Sequence, residues 1–225
     1  MFKISVVIPA LNEAEVIVET LQRLQPLRAL GHEVIVVDAQ SQDETVALAQ
    51  PLADRVLSGY QGRARQMNAG AAVAEGAILW FLHADTLVPK QCDRLLQHAL
   101  QDRLWGRFNV RLSGKAWPLR LVERMMNLRS CLSGICTGDQ GVFVLHSAFD
   151  KVGGFADLPL MEDIALSRSL KRLSWPKCVS ATLTTSSRRW EKNGIWRTVF
   201  LMWSLRLRYF FGAAPSRLAH RYSVL

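Results

Sequence analysis

His83 and Asp85 stand two residues apart, directly after the apolar run Leu79, Trp80, Phe81 and Leu82. An imidazole and a carboxylate spaced i, i+2 at the end of an extended run fall on the same side of the pleat. Both are metal-binding groups, and Asp85 in particular suits a hard cation. Asp38 ends a second apolar run, residues 33–37, where an acid can accept hydrogen bonds from a ribose or base. Arg63 and Arg65 open an Ala-rich stretch, residues 62–74. Cations at a helix start do not help the helix itself, but free backbone N–H groups there favour an anion, which points to a phosphate. Glu162 and Asp163 are adjacent, so they face different ways: one can serve as a base while the other caps or orients. Metal ligand, ribose acceptor, phosphate cation and general base together describe a site for a phosphorylated substrate.

The elements that must hold these groups alternate in the first half. Residues 4–8, 33–37, 55–57 and 77–82 read as strands, and residues 14–27, 42–50 and 62–74 as helices. In the first helix Val16, Ile17, Leu21, Leu24 and Leu27 recur at helical spacing. The alternation predicts βαβ units and a mixed, mostly parallel sheet flanked by helices, with ligands at the carboxyl ends of its strands. Asn12 is expected to cap the first helix, and Ser41 with Glu44 to form a capping box for the second. The second half is less regular: helices over 89–100, 119–132, 162–173 and 194–211, an exposed strand over 106–112, and strands over 141–145 and 177–185. No repeat or linker is visible. A single domain, 1–225, is expected, in three stretches: a regular first half (1–100), a less regular second half (101–190), and a basic amphipathic C-terminal helix and tail (191–225).

The 225 residues are 49% hydrophobic, enough for a packed core and unlike a disordered chain. Apolar runs fall far short of the roughly 18 residues that span a bilayer. The N-terminus reads as a first strand rather than a signal peptide, so a cytoplasmic location is expected. Cys92, Cys131, Cys136 and Cys178 have no zinc-site spacing and are expected as structural thiols. The net charge of +9 is uneven: from Arg188 onward eight basic residues face Glu191 alone. The same segment carries Trp190, Trp196, Trp203, Tyr209, Phe210 and Phe211. Such a segment implies an anionic partner, here an anionic membrane surface at the inner face of the cell membrane. The opposing expectation is that Trp196, Phe200, Trp203 and Phe210 pack on the sheet.

Seven ordered segments carry a family likeness: VVIPALNE, VIVVDAQSQDET, GRARQMNAG, LWFLHADT, then Thr137 to Gly141, Met161 to Asp163, and Ser187 to Trp190. Together they resemble the family 2 glycosyltransferases of GT-A (Rossmann-like) fold, and most of all the short bacterial members of carotenoid-acid or arsenosugar-biosynthesis type. The resemblance implies an inverting enzyme that moves a sugar from a nucleoside-diphosphate sugar to an acceptor hydroxyl, with a divalent metal, Mn²⁺ or Mg²⁺. It places Pro9, Asn12, Glu13, Asp38, Arg63, Arg65, Asn68, His83, Ala84, Asp85, Arg189 and Trp190 around donor and metal, with a uridine nucleotide as the expected donor and Asp38 at its base. It makes Asp163 the base and Glu162 its supporting acid. The acceptor is expected to be lipid-like. One departure stands out: the family usually has Asp-x-Asp where this chain has His83-Ala84-Asp85, so Asp85 is the expected metal ligand and His83 a second ligand or a phosphate contact. Rival readings are weaker. A nucleotidyltransferase or sugar-nucleotide-binding protein of related fold wants a Gly-rich loop after the first strand, where Pro9 to Glu13 has none. A dehydrogenase fails for the same reason. A basic nucleic-acid-binding module leaves Asp38, Asp85, Glu162 and Asp163 unexplained, so nucleic acid is not expected as a partner.

Overall fold

The computed structural model describes residues 2–223; the last two residues of the expected C-terminal tail lie outside the described residues. Eight strands form one sheet: β1 (Ile4–Ala10), β2 (Glu33–Asp38), β3 (Arg55–Ser58), β4 (Ile78–Phe81), β5 (Thr86–Leu87), β6 (Trp105–Leu112), β7 (Phe143–Leu145) and β8 (Lys177–Thr185). Their order is β3-β2-β1-β4-β7-β6-β8-β5. The β3-β2-β1-β4 half is wholly parallel, with Ile8 opposite Val36 and Val6 opposite Trp80. β7 runs antiparallel to both β4 and β6, β6 and β8 are parallel, and β5 returns antiparallel on the edge. The chain leaves β1 towards β2 on one side and comes back to β4 on the other. That switch opens a crevice at the carboxyl ends of β1, β2 and β4, where ligands bind in such sheets.

The helices are α1 (Ile17–Ala29), α2 (Thr45–Ala49), α3 (Arg63–Ala72), α4 (Cys92–Ala99), α5 (Trp117–Ser133), α6 (His146–Lys151), α7 (Glu162–Lys171), α8 (Arg188–Asn193), α9 (Ile195–Phe210) and α10 (Pro215–Ser223). One sheet face packs on Ile17, Leu21 and Leu24 of α1 with Leu96 of α4. The other packs on Ala64 and Met67 of α3, Phe149 of α6 and Leu166 and Leu170 of α7. Strands β1, β2 and β4 are buried on both sides, as the unbroken apolar runs require. Outside these layers α5, α9 and α10 build a further wall: Leu119 and Val122 meet Trp190 and Val199, while Met161 and Ile164 meet Leu205 and Leu218.

Several expectations are corrected. The strand read as exposed, β6, lies inside the sheet between β7 and β8. Its Arg107 is 1% exposed, because α5 covers it and the Asn127 carbonyl accepts its guanidinium at 2.8 Å. Asn12 does not cap α1; it sits at φ +53°, and its side-chain oxygen accepts from the Gln42 N–H at 2.8 Å. No Ser41–Glu44 capping box forms, because the Ser41 hydroxyl turns back to Asp38 and Asp43 accepts from the Thr45 N–H instead. Cys131 and Cys178 are joined as a disulfide with their Cα atoms 5.9 Å apart, tying α5 to β8, while Cys92 and Cys136 are buried thiols. The face Trp196, Phe200, Trp203 and Phe210 does not pack on the sheet: these side chains are 50–71% exposed, since α9 contacts the body through Thr198 and Leu205 instead. No helix among the described residues is long and apolar enough to cross a membrane.

Candidate active site

The carboxyl ends of β1, β2 and β4 deliver three loops to one edge. After β1, the Glu13 N–H donates to Thr45 Oγ1 at 2.8 Å and the Asn12 N–H to Ser41 Oγ at 2.8 Å. After β2, both Asp38 oxygens are engaged by Ser41, one by its N–H at 3.0 Å and the other by its hydroxyl at 2.5 Å. The first two loops thus fix each other. Gln66 of α3 donates to the Ala10 and Val37 carbonyls at 2.9 and 2.7 Å, which pins that helix under the same edge. Asn12, Gln40 and Met161 take left-handed backbone conformations, a cost for residues with a Cβ that loops of this kind bear beside binding sites.

After β4, Thr185 donates its hydroxyl to Asp85 Oδ1 at 3.1 Å. His83 Nδ1 lies 3.2 Å from Asp139 Oδ1. Its Nε2 is shielded from solvent without a partner and rests on Gly138, where an added Cβ would stand 2.3 Å from it. Asp139 opens the short 3₁₀ turn Gly138–Gln140. Burial opposes its ionisation, yet the His83 hydrogen bond and charge, with Arg63 and Arg206 beyond, hold its carboxyl below the usual range. The Gly138 N–H donates to Asp163 Oδ2 at 3.1 Å, and the Ile164 N–H to Asp163 Oδ1 at 2.7 Å. Glu162, 5% exposed, has Arg63 Nη1 at 3.9 Å. Burial, then repulsion from Asp163, pushes its pKa up despite that arginine. Glu13 is raised as well, by burial and by Asp85 nearby, with Arg188 at 3.3 Å opposing.

A single cavity of about 580 Å³ joins these groups, lined by Arg63, His83, Asp85, Asp139, Glu162 and Asp163 together with Arg189 and Trp190. Its other side is apolar, made by Leu121 and Met125 of α5 and Trp196, Phe200 and Trp203 of α9. Not every expected residue reaches it. Arg65 turns outward to a bidentate pair with Asp157 at 2.8–3.0 Å, and Asn68 exchanges two hydrogen bonds with the Phe155 backbone at 2.8 and 2.9 Å. Pro9 and Asp38, at the ends of β1 and β2, and Asn12, Glu13 and Ala84, in the loops, lie outside the cavity wall. Arg189 lies 3.6 Å over the Tyr222 ring and donates to the Tyr222 carbonyl at 2.9 Å. Trp190 packs on the Leu119–Val122 cluster while lining the cavity. Among the lining residues not singled out from the sequence as site residues are Thr185, Arg129 and Arg206. The two arginines gave no signal of their own, since a basic residue on an amphipathic helix reads as part of its wet face.

The donor set suits a divalent metal only in part. Asp85 offers a carboxylate oxygen beside Glu13, the kind of ligand a hard cation takes together with substrate phosphates. In this rotamer neither His83 nitrogen is open, one facing Asp139 and the other Gly138. Among the described residues no group of three or more His, Cys, Asp or Glu is arranged to hold an ion, so diphosphate oxygens and water would complete the shell.

The fold recurs in solved glycosyltransferases. A mannosyltransferase from Pyrobaculum calidifontis in complex with GDP-Man and Mn²⁺ superposes with a TM-score of 0.61 at 20% identity, covering 81% of this chain and 56% of that one. Glucosyl-3-phosphoglycerate synthase from Mycobacterium tuberculosis, in complex with Mg²⁺ and UDP, gives 0.62 at 22% identity, covering 82% and 70%. In sequence, the beta-monoglucosyldiacylglycerol synthase of Synechocystis is 25% identical over 86% of this chain and 47% of its own length; the chain thus spans about half of that curated relative. Residues 5–122, the segment that supplies the three strand-end loops, match the family described as Glycosyl transferase family 2, and the chain belongs to that family.

Proposed function

We propose that this chain transfers a sugar from a nucleoside-diphosphate sugar to the hydroxyl of an amphiphilic acceptor, by single displacement with inversion at the anomeric carbon. The observation that carries the reading is the cavity itself. Asp85 at the end of β4 and Asp163 at the start of α7 line one space whose far wall is apolar. Residues 1–100 would hold the donor, residues 101–190 the base and acceptor, and the C-terminal segment the acceptor's apolar part. The same seven motifs lead us to infer kinship with the short bacterial members of carotenoid-acid or arsenosugar-biosynthesis type.

In this reading Asp163 takes the acceptor proton as the acceptor oxygen attacks the anomeric carbon and the bond to the diphosphate breaks. Its two backbone donors, Gly138 and Ile164, hold the carboxylate in one orientation, as a general base requires. Glu162, with its raised pKa, shapes the field beside it. Asp85 would hold a divalent metal, which when bound supplies positive charge to the leaving diphosphate; Arg63 adds a cation on the same side. His83 acts on Asp139 rather than on an ion. Arg188, bridging Glu13 and Glu15 at 3.3 and 3.5 Å, ties the C-terminal segment to the donor loop. A uridine nucleotide remains the proposed donor.

A thermal-shift panel of UDP- and GDP-sugars with and without Mn²⁺ tests the reading. A ligand at a hundred times its Kd stabilises the folded state by about 2.7 kcal/mol, a rise of roughly 5–11 °C for a chain of this size. No shift from any nucleotide sugar in the presence of Mn²⁺ would sink the proposal.

The exposed aromatic face of α9 supports one addition, peripheral attachment to an anionic bilayer. Phe200 and Phe210 are 66% and 71% exposed, and Arg197 and Arg208 on the same helix are exposed beside them. Apolar rings flanked by arginines fit a headgroup boundary. The relative named for a glucosyldiacylglycerol product agrees with a lipid acceptor. Co-flotation with phosphatidylglycerol vesicles at low salt is expected, and is lost in Phe200→Glu; no flotation of the unaltered chain rules the attachment out.

A further inference from the structure

Two arginines in the cavity wall have no acidic partner. Arg129 of α5 keeps its Nη2 shielded from solvent without a hydrogen bond, and its Nη1 reaches only the Ile135 carbonyl, at 3.4 Å. Arg206 of α9 lines the same cavity and, among the described residues, makes no hydrogen bond or ion pair within 4.0 Å. Burial, and then the neighbouring Arg206, push the Arg129 pKa down to about 10. Burial also lowers Arg206, with Asp163 and Asp139 opposing. Both remain cations at neutral pH.

Desolvating two like charges side by side is expensive unless an opposite charge arrives. The acids within reach are already committed: Asp163 to the Gly138 and Ile164 N–H groups, and Asp139 to His83. The arginines share a wall with the apolar side chains Leu121, Met125, Phe200 and Trp203. Asp163 is an electrostatic neighbour of both, and Asp139 of Arg206 as well, whereas neither arginine feels Asp38 or Asp85.

We infer that Arg129 and Arg206 form an anion subsite on the acceptor side of the cavity. The acceptor is then an amphiphile bearing a phosphate or carboxylate near the hydroxyl that faces Asp163, with its apolar body along α5 and α9. A planar guanidinium pair suits such an anion bidentately. The inference deepens the proposed function and rests on Asp163 being on the acceptor side.

Binding of octyl phosphate to the full chain, below its micelle concentration and followed by tryptophan fluorescence, provides the test. Octyl glucoside and inorganic phosphate are the comparison ligands. Octyl phosphate is expected to bind at least tenfold tighter than either. Arg129→Gln and Arg206→Gln are each expected to weaken it at least tenfold, and Arg206→Lys, which keeps the charge but not the bidentate fork, by less than Arg206→Gln. Binding of octyl glucoside or of inorganic phosphate as tightly as octyl phosphate overturns the subsite. So does displacement of octyl phosphate by UDP, which would return the arginines to the donor. Equal loss in the Lys variant with a lowered melting point marks the residue as structural and counts against it too. A chain that binds octyl phosphate as expected but no nucleotide sugar keeps the subsite and refutes the donor reading.

Discussion

Replacing Gly138 with alanine puts the site's central packing contact to a quantitative test. The added Cβ would stand 2.3 Å from His83 Nε2 and 2.9 Å from His83 Cε1, so the ring must move by more than about 1 Å to reach ordinary contact distance. The imidazole is only 19% exposed and is tied to Asp139 at 3.2 Å, so moving it gives up that pair. Overpacking of this kind costs about 1–3 kcal/mol, and 2 kcal/mol corresponds to a fall of roughly 4–8 °C in melting temperature for a chain of this size. If the loop moves instead of the ring, the Gly138 N–H leaves Asp163, and a displacement of about 1 Å at a reacting group costs on the order of 100-fold in rate. The assay is a double-mutant cycle of thermal melts with Gly138→Ala, His83→Ala and the pair, alongside nucleoside-diphosphate release from the donor. Removing the ring makes room for the methyl group, so the pair should be more stable than the two single losses predict, by at least about 1 kcal/mol. A Gly138→Ala protein that melts like the parent, with strictly additive losses in the cycle, would refute the packing.

Three further outcomes are expected. Asp163→Asn should bind donor as before and lose about 10²–10⁴ in turnover, with about 1 kcal/mol of stability from one forfeited backbone hydrogen bond; turnover within threefold of the parent removes Asp163 from the base role. Because burial and Asp163 raise the Glu162 pKa, the folded state favours its protonated form. Its contribution is full below the unfolded carboxylate pKa and is lost as pH rises through the raised value. Glu162→Gln should therefore gain stability relative to the parent as pH rises from 4 to 8, and parallel melting curves across that range would contradict it. Reduction of Cys131–Cys178, which closes a separation of 47 residues, should cost about 2–4 kcal/mol by chain entropy. Thiol titration of the unreduced, unfolded chain should find only Cys92 and Cys136.

The parts of the fold that were legible in the sequence are those where one local pattern fixes one environment. The run 177–185 is β8 to the residue, and Glu162 does begin α7, because a Val- and Thr-rich alternating run and a pair of leading acids each state their own geometry. Arg107 defeated the same logic. Its charge within an alternating segment signals water, and only the later helix α5 supplies the Asn127 carbonyl that lets it be buried. Asn12 and Ser41 are cap-forming residue types, but each spends its side chain on the other's loop, a tertiary choice that spacing does not record. Within the site, Asp85 and Asp163 were visible as strand-end and helix-start acids. Asp139 was visible only as part of a motif, and its partnership with His83 depends on two chain segments more than fifty residues apart. Arg129 and Arg206 lay hidden for another reason: basic residues on an amphipathic helix normally mark the wet face, and here they mark the inner one.

The two walls of the cavity come from different stretches of chain. Arg63, His83 and Asp85 come from the first half of the chain, whereas the apolar wall comes from α5 and α9. The Cys131–Cys178 link fastens one of those helices to β8 without touching the donor loops. On the proposed reading, acceptor choice and donor choice could therefore drift independently in evolution. On that reading, a handful of substitutions on α5 and α9 would re-aim the proposed transfer at a new class of molecule, while the strand-end loops stay as they are.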